Sequence, residues 1–116
     1  MKLAAEIAVA LVALLHVYAL VLEMFLWDTP YGRRVFRLTP EQAAASKVLA
    51  ANQGLYNGFL AAGLFWGLWL GSQPVQAFFL LCVIAAGVFG GFTANRRIFL
   101  MQALPGAVAL GLLLFS

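Results

Sequence analysis

The sequence predicts an all-α membrane protein, a bundle of four transmembrane helices with short loops and both termini on the non-cytoplasmic side. Composition is the first reason: 65% of the 116 residues are hydrophobic and 9% are charged, with a mean hydropathy of +0.98. Such a chain has room for about four spans of roughly 20 residues and little else, so residues 1–116 read as a single domain. Segmentation is the second reason. Four apolar stretches, near residues 3–26, 48–70, 75–93 and 98–115, are separated by breaks that carry turn and charged residues. Charge asymmetry is the third. The first break holds Arg33, Arg34 and Arg37 with Lys47 just beyond, and the third holds Arg96 and Arg97, whereas the second break carries no charge and Lys2 stands alone on its side. That bias places the charged loops in the cytoplasm and makes the chain a multi-pass protein of the cell membrane, the inner membrane if it is bacterial.

Helix 1 follows Lys2 and continues to Trp27, too long for the apolar core of a signal peptide and interrupted by Glu6. Between the pairs Thr29-Pro30 and Thr39-Pro40, the stretch 33–38 mixes basic and apolar side chains. It is expected on the membrane surface, with Arg33, Arg34 and Arg37 against lipid phosphates; a dedicated anion site is the sharper alternative. Thr39-Pro40-Glu41-Gln42 has the form of a capping box with proline at the first helical position, so helix 2 is expected over 40–70. At 1.5 Å per residue that is roughly 46 Å, more than the hydrocarbon thickness, so its first turns stand outside the hydrocarbon. Trp27 fits the inner interface, and Trp66 and Trp69 fit the outer one. Helix 3 covers 75–93 and helix 4 covers 98–115. Pro105 of helix 4 cannot donate to the carbonyl of Met101 and frees an acceptor beside Gln102.

The net charge of +3 forms no groove for nucleic acid; the basic residues read as topology signals, and membrane lipids are the expected partners. Cys82, in an apolar run, reads as helix packing. No metal cluster, phosphate loop or HExxH motif implies a metal or cofactor.

Ionisable groups inside a span are costly and therefore functional candidates, which singles out His16 and Glu23. Seven residues apart, they lie about 20° apart on one face and about 10 Å apart along it, too far for a direct hydrogen bond. Counting from the helix centres puts Asn57 at the level of His16, Asn52 and Gln53 at the level of Glu23, and Tyr56 between. Gln102 lies on the same side of the membrane centre. A polar pocket is thus expected in the cytoplasmic half, using the space beside Ala19 and partly walled by Leu20. Gly63, Gly67 and Gly71 seal the outer half, with Gly87 and Gly91 as the facing surface, and an open pore is disfavoured. The blander readings are a neutral His16 bonded to an amide such as Asn57, a Glu23 paired with Arg33, Arg34 or Arg37, and a Glu6 that reaches the outer interface.

The run His16-Val17-Tyr18, the segment from Leu22 to Trp27 and the segment from Asn52 to Leu64 resemble domain-of-unknown-function family 1304, small membrane proteins found mainly in bacteria. The likeness extends through Gly90-Gly91-Phe92-Thr93 and Gln102-Ala103-Leu104-Pro105. It implies a short four-helix membrane protein and carries no activity to transfer.

From the residues, the favoured expectation is binding or transport of a small lipophilic or cationic molecule, with proton coupling through Glu23 and a His16 relay. In outline this is similar to the small multidrug resistance family, whose remaining sequence does not match. The alternatives are an intramembrane acid-base enzyme acting on a lipid-like substrate and a structural or accessory subunit, with glycine-rich faces that could form a homodimer.

Overall fold

The computed structural model describes residues 2–116. Its helices are α1 (Lys2–Met24), α2 (Pro30–Phe36), α3 (Pro40–Leu70), α4 (Gln73–Thr93) and α5 (Leu104–Leu114), with a π-helical turn (Phe99–Ala103) leading directly into α5. There is no strand among the described residues. α1 and α4 are each long and apolar enough to cross a membrane, and the π-helical turn with α5 makes a shorter apolar stretch, Phe99–Leu114.

Local chemistry sets the helix ends. The Thr29 hydroxyl donates to the carbonyl of Leu26 at 2.7 Å and accepts from the Gly32 amide at 3.2 Å, closing the end of α1 and capping α2. α2 stands where only a membrane-surface stretch is expected from the sequence, although Thr29-Pro30 repeats the Thr-Pro pattern that starts α3. α2 stops where Arg37 turns left-handed (φ 56°) and the Leu38 amide returns to the carbonyl of Arg33 at 2.9 Å. Two residues on, Thr39 and Gln42 form a reciprocal capping box: the Thr39 amide donates to Gln42 Oε1 at 2.9 Å and the Gln42 amide to Thr39 Oγ1 at 3.1 Å. Thr39→Ala is expected to cost about 1 kcal/mol of stability, read from denaturant titration of the detergent-solubilised protein.

At the other end of α3, Gly71 takes φ 62° and the Ser72 amide bonds the carbonyl of Gly67 at 3.0 Å; the Ser72 hydroxyl then caps α4 by accepting from the Val75 amide. The π-helical turn precedes Pro105, which lacks an amide hydrogen and whose ring would strike the carbonyl of Met101. The backbone relieves this by widening, so that the Leu104 amide bonds the carbonyl of Phe99.

The chain divides into two units. The first comprises Met1–Leu14 and Leu60–Ser116. Its core draws on four helices: Ala5, Val9, Val12 and Ala13 of α1, Leu64 of α3, Leu80 and Val83 of α4, and Ala109 and Leu113 of α5. The glycines seat neighbours, but not each other. Gly63 receives the Phe79 ring and Gly67 the Gln76 side chain, both from α4, while Gly87 and Gly91 receive Ala103 and Phe99 of the π-helical turn. The expected pairing of the two glycine runs is therefore replaced by two separate glycine seats, and Gly71 serves the turn. A bare glycine surface gains most contact from a protruding side chain.

The second unit is Leu15–Phe59: the end of α1, α2 and the start of α3. α3 turns small residues inward here, with Ala43, Ala50 and Gly54 buried and Asn57 and Gly58 half-buried on the same stripe.

Candidate functional site

Every residue of the candidate site except Gln102 lies in the second unit. Gln102 is half-buried in the π-helical turn of the first. His16 is buried and Glu23 half-buried on α1, on the face that α3 meets through its glycines. A methyl group at Gly54 would lie 2.5 Å from Met24 Cγ and 3.2 Å from the carbonyl oxygen of Leu20, and one at Gly58 would lie 2.7 Å from Leu20 Cδ1. These contacts interlock the helices and set their register.

In that register Asn57 Nδ2 donates to Glu23 Oε1. The structure thus places Asn57 on Glu23 and not at the level of His16, a different axial register from the one found by centring the apolar segments. Centring fails because α3 extends well beyond its apolar stretch and because interlocking side chains, not hydropathy, fix how two helices slide. The same register puts Leu20 against Gly58, in the region between His16 and Glu23 where a space was expected.

Of the polar cluster on α3, only Asn57 turns inward; Asn52, Gln53 and Tyr56 are exposed. The stripe that runs through Gly54, Asn57 and Gly58 leaves those three about 100° or more to the side. Tyr56 packs edge-on against Phe59, with ring centroids 5.9 Å apart.

The arginines divide their work. Arg33 Nη1 donates to Asp28 Oδ1 at 2.9 Å, so this guanidinium pairs with Asp28 and not with Glu23. Arg34 lies over the Tyr31 ring at 5.9 Å and is exposed, and Arg37 supplies the left-handed end of α2. The sequence reading missed the contacts that hold α2 in place. The hydroxyls of Tyr18 and Tyr31 are hydrogen-bonded to each other. Trp27 Nε1 donates to Ser46 Oγ at 3.1 Å, and its ring lies 4.6 Å from that of Phe36. The signal available was the first Thr-Pro pair, Thr29-Pro30: a helix starting at Pro30 turns Arg33 back to Asp28. Trp27→Phe, which keeps the ring contact and loses the N–H, is expected to cost about 1 kcal/mol on the same denaturant titration.

The two carboxylates near the end of α1 are thus served by different groups. Asp28 is held by a guanidinium and Glu23 by a neutral amide. An amide donor orients a carboxylate without cancelling its charge.

A relative in Lactococcus lactis subsp. lactis (strain IL1403), the uncharacterized protein YpaA, is 33% identical over 96 residues, which cover 79% of this chain and 81% of YpaA. No solved structure matches the chain. The model of the family described as protein of unknown function (DUF1304) matches residues 10–114. With nearly the whole chain covered, including every residue of the candidate site, the protein belongs to the DUF1304 family.

Proposed function

We propose that the chain crosses the cell membrane four times, charged loops in the cytoplasm and both termini outside, and binds a small lipophilic cation at the Glu23–Asn57 pair. Proton-coupled transport of that cation is the fuller form of the same reading. The observation that carries it is the neutral partner of Glu23, beside an Asp28 that already has its cation. The charge that a ligand would meet is the one that the fold has oriented but not cancelled. Membrane placement is supported by the outer surface. On α1, Leu3, Ile7, Leu11 and Leu14 are exposed at helical spacing while the smaller Ala5, Val9, Val12 and Ala13 are buried, which places the larger apolar side chains outward, as lipid favours. Exposed Trp69 and Lys2 fit an outer interface.

The test is binding of tetraphenylphosphonium to the purified, detergent-solubilised protein. Glu23→Gln is expected to weaken it about tenfold or more, the scale of one charge-assisted contact. Asp28→Asn is expected to leave it within about twofold, since that carboxylate is already paired. Equal affinity in wild type and Glu23→Gln would overturn the proposal. Labelling of Ser72→Cys by an impermeant thiol reagent from outside intact cells checks the topology. A structural reading, in which the pair only joins α1 to α3, draws on Leu20 packed against Gly58. Under it, the same variants lose stability and tetraphenylphosphonium does not bind.

A further inference from the structure

One side of α3 differs from the outward surfaces of α1 and α4. Between Ile7 and Val17 on α1, and between Phe78 and Phe92 on α4, every exposed residue is apolar. On α3, Ala45, Leu49, Asn52, Tyr56 and Phe59 are exposed, at alternating spacings of four and three residues. That spacing repeats every seven residues, so the five side chains form one seam. They lie within about 80° of one another, opposite the inward stripe of Ala43, Ala50, Gly54 and Asn57.

Asn52 stands in the middle of the seam. It precedes Leu70, the last residue of α3, by about 27 Å of helix, so an α3 that ends at the outer interface holds Asn52 within a hydrocarbon layer of about 30 Å. There an exposed amide presents N–H donors and a carbonyl acceptor to lipid, where no water satisfies them. The glycines that suggest self-association in the sequence are not the surface for it, because Gly63, Gly67, Gly87 and Gly91 are covered by residues of their own chain.

We propose that α3 pairs with α3 of a second copy of this chain along the seam, with the Asn52 amides of the two copies bonded to each other. The amide selects this occupant. As both donor and acceptor it is complementary to itself, and in a parallel pair about a two-fold axis along the membrane normal each seam residue meets its own counterpart. Leu49 on one side of Asn52, and Tyr56 and Phe59 on the other, close over the amide pair. The pairing rests on the membrane placement and single orientation proposed above, and not on the Glu23–Asn57 pair, since Asn57 faces the other way.

The experiment is disulfide cross-linking of the full chain, diluted in lipid vesicles, with Cys82→Ser as background and copper phenanthroline as oxidant. Leu49→Cys and Phe59→Cys are expected to link into dimers. Leu55→Cys, also exposed but about 80° off the seam, is expected to stay monomeric. Links at both 49 and 59, about 15 Å apart along the helix, require a parallel pair; a link at one alone shows helices that cross sharply or run antiparallel, and overturns the seam. Asn52→Leu is expected to weaken dimerisation about tenfold, read from energy transfer between labelled copies as lipid is added, and Asn52→Gln, which keeps donor and acceptor, to retain most of it. Equal linking at 49 and 55, or a dimer unchanged by Asn52→Leu, would overturn the proposal. Glu23→Gln is expected to dimerise as wild type does, so a failed cation site and a failed seam are told apart, while labelling of Ser72→Cys tests the membrane placement that both share.

Discussion

Gly32→Ala is expected to be the most damaging single-methyl change in the second unit, costing about 3 kcal/mol, the upper part of the range for overpacking. A β-carbon built at Gly32 falls on the carbonyl group of Leu26 and lies 2.9 Å from the carbonyl oxygen of Trp27. Both obstacles are backbone, so no rotamer change relieves them. α2 would have to lift from the end of α1, straining the Tyr18–Tyr31 hydrogen bond and the Trp27–Phe36 ring contact together. Thermal unfolding followed by circular dichroism, with tryptophan emission as a second probe, checks this; an unshifted midpoint would contradict the packing described. Gly111 gives the contrast. A methyl group there meets nothing within 4 Å, so Gly111→Ala is expected to be neutral or to stabilise α5 by up to about 1 kcal/mol through helix propensity.

Asn57→Leu is expected to cost about 2 kcal/mol, because it leaves the half-buried Glu23 carboxylate without the donor that faces it. Two companions make the cause visible. Glu23→Gln preserves an acceptor for Asn57 Nδ2 and is expected to lose less. Glu23→Leu combined with Asn57→Leu removes donor and acceptor together, and is expected to be more stable than Asn57→Leu alone, since two apolar partners leave nothing unsatisfied. A double-mutant cycle on unfolding free energies measures the coupling directly. If the losses simply add, the hydrogen bond does not hold α1 against α3, and the proposal that it orients the carboxylate loses its basis as well.

These outcomes bear on what the pair is for. An amide that contributes to stability while leaving the charge intact can both join two helices and present a carboxylate to a ligand. Tetraphenylphosphonium binding separates the roles, because a purely structural pair gives loss of stability with no binding to lose.

What the sequence determined by itself is what depends on neighbours within a few residues. The start of α3 is legible in Thr39-Pro40-Glu41-Gln42 because the capping bonds join residues three apart. The end of α3 and the start of α4 are legible in Gly71 and Ser72, where a left-handed turn and a side-chain cap suit those residue types. The disruption before α5 follows from Pro105, and α2 could have been read from Thr29-Pro30 by the same rule.

The site needed the tertiary structure. That Glu23 lies in α1 and Asn57 in α3 is plain in the sequence, but their meeting depends on Leu20 and Met24 seating against Gly54 and Gly58, far along the chain. Hydropathy hardly distinguishes one axial register from another a turn away, because sliding two apolar helices exchanges similar surfaces. Interlocking of a few side chains with bare glycine backbone does distinguish them, and it decided that Asn57 faces inward while Asn52, Gln53 and Tyr56 do not.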